Sequence, residues 1–262
     1  MPARSRWADS GRVRLRHPLV LLATAAVAAA AALAPGAGAN ARGCGAGAYG
    51  SQGYAYAGHQ SLSVAHGVRA TITPLIRPTV PAGHVAGWVG VGGPGQGANG
   101  ETAWLQVGIA SMSGGPMTLY AEITRAGHNP VFVPVLTDVQ AGDSHAVAVL
   151  ELAKRPNHWR VWVDGSPVTE PVFLAGSGKG WSPIATAESW NGGGNACNRF
   201  AFRFTGVGVT GVNGGPWHAF VPGADFHDRG LAVRKLARPA AGGQRTLAVD
   251  GRAPYAFEAA SL

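Results

Sequence analysis

His158-Trp159-Arg160-Val161-Trp162-Val163 runs directly into Asp164-Gly165, and this stretch decides the fold class. An extended chain turns successive side chains to opposite faces, so Trp159, Val161 and Val163 fall on one side. Asp-Gly accepts the positive φ angles of a tight two-residue turn, which predicts a hairpin. The same texture spreads outward in both directions, as short runs rich in Val, Ile, Thr, Phe and Trp separated by Gly, Pro, Asn and Asp clusters. That is the pattern of strands joined by turns. Strands are predicted near 67–73, 84–91, 102–109, 117–125, 145–152, 158–163, 168–174, 184–190 and 199–211, with weaker candidates near 131–135, 216–221, 245–249 and 254–258. Beyond the N-terminal segment nothing keeps helical spacing for three turns, and Gly and Pro at this density break most helices. With no internal repeat, a dozen or so strands in about 210 residues fit one all-β antiparallel sandwich, or jelly roll.

The N-terminal segment has a different character. A basic opening with Arg4, Arg6, Arg12, Arg14 and Arg16 precedes an apolar run from Leu19 to Leu33. That run is short for a membrane span of about 20 residues. Ala37-Gly38-Ala39 then offers small residues at the spacing a signal peptidase reads. Residues 1–39 are therefore expected to be a removable signal peptide, the alternative being a retained anchor. A flexible Gly/Ala-rich leader is expected over 40–53, and the sandwich domain over 54–262. The destination implied is extracellular, with no membrane partner once the signal is removed.

Without residues 1–39, 16 of the 21 Lys/Arg and 12 of the 13 Asp/Glu remain, a net charge of +4. Arg229, Arg234, Lys235 and Arg238 are scattered rather than ranked in a stripe. Nucleic acid is therefore not an expected partner. Cys44 and Cys197 are the two cysteines. An exported chain meets an oxidising compartment, so one disulfide between them is permitted, two unpaired thiols being the alternative.

Common catalytic signatures are missing: there is no G-x-S-x-G elbow, no H-E-x-x-H helix and no P-loop. The nine His are dispersed without metal-ligand spacing, so neither a metal nor a cofactor is expected. What remains are carboxylates and carboxamides inside strands, where side-chain alternation assigns faces. In Thr102–Gly108, Trp104 and Gln106 share one face, with Leu105 and Val107 on the other. In Leu119–Ile123, Glu122 shares a face with Tyr120. In Ala185–Trp190, Glu188 shares a face with Thr186 and Trp190. As ordinary strand residues, Gln106 would bond to neighbouring backbone and Glu188 would pair with an arginine such as Arg203.

Gly87-Trp88-Val89-Gly90-Val91, Trp104-Leu105-Gln106-Val107-Gly108 and Ala187-Glu188-Ser189-Trp190 together resemble the landmarks of the glutamic peptidases, the eqolisins. Tyr56-Ala57-Gly58 is similar to that family's early W-[AS]-G, and Tyr120-Ala121-Glu122 to its mid-chain strand. The order and spacing carry the resemblance, which runs from about Tyr54 to Val212. The chain departs from the pattern at Val91-Gly92, where an acid is usual, at Ser189, and at Gly192-Gly193-Gly194. The resemblance implies a concanavalin A-like sandwich of two seven-stranded sheets and an acid-acting endopeptidase. Its catalytic pair would be Gln106 and Glu188, and Trp88, Trp104, Tyr120, Glu122 and Trp190 would line a cleft for an extended polypeptide. A monomer without cofactor is implied. Two other classes stay open: a non-catalytic carbohydrate- or surface-binding module using the tryptophans, and a jelly-roll glycoside hydrolase pairing Glu122 with Glu188.

Overall fold

The computed structural model describes residues 53–61, 63–236 and 255–262. The expected signal peptide, the leader up to residue 52, Cys44 and the strand expected near 245–249 lie outside the described residues.

Sixteen strands follow one another among the described residues: β1 (Tyr54–Gln60), β2 (Gly67–Pro74), β3 (His84–Gly93), β4 (Ala103–Met112), β5 (Met117–Thr124), β6 (Val131–Thr137), β7 (His145–Glu151), β8 (His158–Val163), β9 (Ser166–Pro167), β10 (Val172–Phe173), β11 (Pro183–Trp190), β12 (Ala201–Thr210), β13 (His218–Ala219), β14 (Ala224–His227), β15 (Leu231–Lys235) and β16 (Tyr255–Ser261). None of the described residues is in an α-helix. One sheet has the order β14-β1-β11-β3-β4-β5-β6. The other runs β10-β8-β7-β2-β12-β16-β15, with the two-residue strands β9 and β13 hung on β8 and β12. The pairings are antiparallel throughout. The molecule is the expected antiparallel β-sandwich.

Alternation builds the core. Val89, Leu105, Val107, Ile109 and Leu119 point inward from the first sheet to meet Ile72, Val149, Phe202, Phe204 and Phe257 from the second. The hairpin is formed as predicted: Trp159, Val161 and Val163 are buried, while Asp164 and Gly165 take φ of 49° and 80°. Val163 then pairs with Ser166 across that turn. Trp159 is fully buried, and its indole Nε1 donates to Ser177 Oγ at 2.7 Å. We expect Trp159→Ala to cost about 3–5 kcal/mol of stability, read as a lower urea midpoint at unchanged slope.

Of the strand expected over 168–174 only the two-residue β10 forms, with β9 lying just before it. Pro167 and Pro171 supply no N–H to a ladder, so the segment touches β8 only intermittently. β1, β9, β14 and β15 have no counterpart among the expected strands, although β1 holds Tyr56-Ala57-Gly58.

Candidate active site

The face of the first sheet that turns away from the core carries the chemistry. Register places Gln106 of β4 directly between Gly90 of β3 and Glu122 of β5. Glu188 of β11 lies opposite Tyr56 of β1 and Ala86 of β3. Alternation therefore brings Gln106, Glu122, Glu188, Trp88, Trp104, Tyr120 and Trp190 to one face, all seven residues expected from the sequence. Beneath them Ala86, Trp88, Ala110 and Tyr120 form a small apolar cluster separate from the main core, with Tyr56, Phe132 and Ile184 packed against it. Gly108 permits this packing, since a Cβ there would fall 2.6 Å from the Trp88 Cβ.

The side chains differ in access. Trp88 and Tyr120 are buried and form the floor, whereas Trp104, Glu122, Glu188 and Trp190 are half-buried. Tyr120 stacks on Phe132 with ring centroids 4.7 Å apart, and its hydroxyl accepts a hydrogen bond from Gln106 Nε2 at 3.1 Å. Burial drives the Tyr120 hydroxyl well above its ordinary value, so it stays protonated and keeps its own hydrogen to donate. Gln106 is only 7% exposed, and its amide is held at the floor rather than swinging in solvent.

Each carboxylate is met by indole N–H groups. Trp104 Nε1 donates to Glu122 Oε1 at 2.9 Å, and Trp88 Nε1 donates to Glu188 Oε2 at 3.1 Å. The other Glu188 oxygen lies 2.8 Å from His84 Nε2. Arg203, the partner expected for an ordinary strand carboxylate, is paired instead with Glu258 on the other sheet. Burial first, and then repulsion from Glu188, pushes Glu122 up to about 7. Two carboxylates thus share one electrostatic site, and Glu122 retains a proton well above the ordinary carboxylate range.

A stability prediction follows from that shift. Glu122 would ionise near 4.5 in the unfolded chain and ionises near 7 in the fold. Between those values the folded state binds the extra proton, so stability falls as pH rises through the interval, by up to ~3 kcal/mol. Glu122→Gln should remove this dependence, and the gap between variant and wild-type melting temperatures should widen in the variant's favour from pH 4.5 to 7.

His84, Tyr54 and Phe226 were not singled out in the sequence, and Tyr56 only within Tyr56-Ala57-Gly58. Tyr54 stacks on Tyr56 and on Trp190, with centroids 6.2 and 5.9 Å apart, and Tyr56 meets Phe226 at 6.1 Å. They form an aromatic bank on the β1–β14 side of Glu188. The signal for His84 was available: it has the same parity along β3 as Ala86 and Trp88.

No protein-family model matches the chain, and no curated protein matches it in sequence. Among solved structures, a crystal structure of scytalido-glutamic peptidase with a transition state analog inhibitor is similar, at 16% identity over 79% of this chain and 98% of that one, with a TM-score of 0.48. SCP-B, a member of the eqolisin family of peptidases in complex with the tripeptide Ala-Ile-His, is 15% identical over 81% of this chain and 99% of its own, with a TM-score of 0.43. A beta-glucanase of Bacillus licheniformis is 15% identical over 52% of this chain and 57% of its own, with a TM-score of 0.34. Likenesses this distant leave function to the residues of this sheet face.

Proposed function

We propose that the chain is a secreted, acid-acting endopeptidase of the glutamic type, with Gln106 and Glu188 as the catalytic pair. The observation that carries this reading is a fixed neutral amide and a carboxylate on one open face of the sheet, above an apolar floor. In the proposed reaction Glu188 takes a proton from a water molecule as its oxygen attacks the scissile carbonyl carbon. The charge that develops on the carbonyl oxygen is met by Gln106 Nε2–H and by the Tyr120 hydroxyl, neither of which changes charge at acid pH. Glu188 then passes the proton to the leaving nitrogen as the C–N bond breaks, which restores the carboxylate.

An extended polypeptide fits a sheet face walled by the Tyr54–Tyr56–Trp190 bank on one side and by Trp104 on the other. Secretion, action as a monomer without cofactor, and a Cys44–Cys197 disulfide belong to the same proposal. Among the described residues no helix is long and apolar enough to cross a membrane. One observation favours a second reading: Glu122 holding its proton beside Glu188 is also what a jelly-roll glycoside hydrolase would need for its acid. Substitution separates the readings. Hydrolysis of protein that is lost in Gln106→Ala supports the peptidase; hydrolysis of polysaccharide that is lost in Glu122→Gln but kept in Gln106→Ala supports the glycosidase. Binding of a glycan without turnover, indifferent to both changes, supports the binding module.

A further inference from the structure

Four histidine–carboxylate pairs occur among the described residues: His59 with Asp225, His66 with Glu151, His145 with Asp164, and His84 with Glu188. The His84 pair is the one that includes a member of the proposed catalytic dyad. Glu188 stands opposite Ala86, and His84 and Trp88 are the neighbours of Ala86 on the same face of β3. The small methyl of Ala86 leaves a gap into which the carboxylate reaches, so a nitrogen from each side meets a different oxygen. His84 Nε2 is 2.8 Å from Oε1, and Trp88 Nε1 is 3.1 Å from Oε2. The imidazole is itself held, with its centroid 5.9 Å from Tyr54 and 5.6 Å from Trp190. Its side chain is only 19% exposed. A half-buried carboxylate with one oxygen released would swing about its last torsion, which is broad and two-fold.

We propose that His84 is a positioning residue for Glu188: its Nε2–H fixes one carboxylate oxygen so that the group faces the attacking water in a single orientation. This rests on the peptidase reading above. Charge is not essential to such a role; a donor at that place is. Glutamine has nearly the reach of histidine and carries an N–H at its end, whereas methionine fills a similar volume and donates nothing.

The test compares the purified full chain with His84→Gln and His84→Met, measuring kcat and KM on one peptide substrate at acid pH. The expected result is that His84→Met loses roughly a hundredfold in kcat, the scale of a misplaced reacting group, with KM nearly unchanged. His84→Gln should recover most of that loss. Equal behaviour of the two variants, whether both active or both impaired, would overturn the inference, because a packing role does not distinguish a donor from a thioether. Should His84→Met fail to fold, the ¹⁵N resonance of His84 Nε2 decides: it must carry the hydrogen in the wild type and must move in Glu188→Gln. An unmoved signal overturns the inference while leaving the peptidase reading intact. A wild type without hydrolysis at any pH overturns that reading, and the inference falls with it.

Discussion

Glu188→Gln is expected to lower kcat/KM for peptide hydrolysis by roughly 10²–10⁴-fold, the range that a positioned general base contributes. The change is nearly isosteric, and the new amide oxygen can still accept from one of the two donors now on the carboxylate, His84 Nε2 and Trp88 Nε1. Folding should therefore survive, with a melting temperature close to that of the wild type. What is lost is the capacity to take a proton from water and return it to the leaving amine. The assay is cleavage of an internally quenched peptide at acid pH, run beside a circular-dichroism melt. Retained cleavage in a folded variant would remove Glu188 from the chemistry and leave it as a strand carboxylate paired with a histidine.

Gln106→Ala is expected to cost roughly 10²–10³-fold in kcat, the effect of deleting one donor to a developing oxyanion. KM should change little, because the amide binds the charge that appears during reaction more than it binds the resting carbonyl. Gln106 sits deep, 7% exposed, with Nε2 on the Tyr120 hydroxyl. Truncation therefore also frees that hydroxyl, whose remaining donation accounts for a residual rate. This substitution has the greatest power to discriminate, since neither a glycosidase built on Glu122 and Glu188 nor a glycan-binding face requires a carboxamide at this place.

Much of this arrangement was legible in the sequence, for identifiable reasons. Strict alternation around Trp159 and the Asp164-Gly165 turn specified a hairpin, and the same parity rule put Gln106 with Trp104, and Glu122 with Tyr120, on shared faces. Alternation does not say which face is covered, nor which strands of distant sequence become neighbours. Gln106 and Glu122 come from strands adjacent in the chain, so their pairing was within reach of local reasoning. The approach of Glu188 to His84 depends on β11 inserting between β1 and β3, which local pattern does not reveal. β1 is weakly marked in the sequence because Ala55 and Ala57, two of the residues it buries, are small and have weak strand preference. The segment 168–174 failed for the opposite reason: its Val and Phe content suggested a strand where Pro167 and Pro171 interrupt the ladder. The donors on the carboxylates, Trp88 and Trp104, were expected as lining residues; that their indole N–H groups point at Glu188 and Glu122 required side-chain positions.

The most direct measurement is digestion of a denatured protein by the purified chain between about pH 2 and 7, the range in which a carboxylate base titrates, with products identified by mass spectrometry. Cleavage of internal peptide bonds at acid pH, slowed roughly a hundredfold or more by Glu188→Gln and by Gln106→Ala, is the expected result. Intact substrate at every pH, from protein that melts cooperatively, would contradict it.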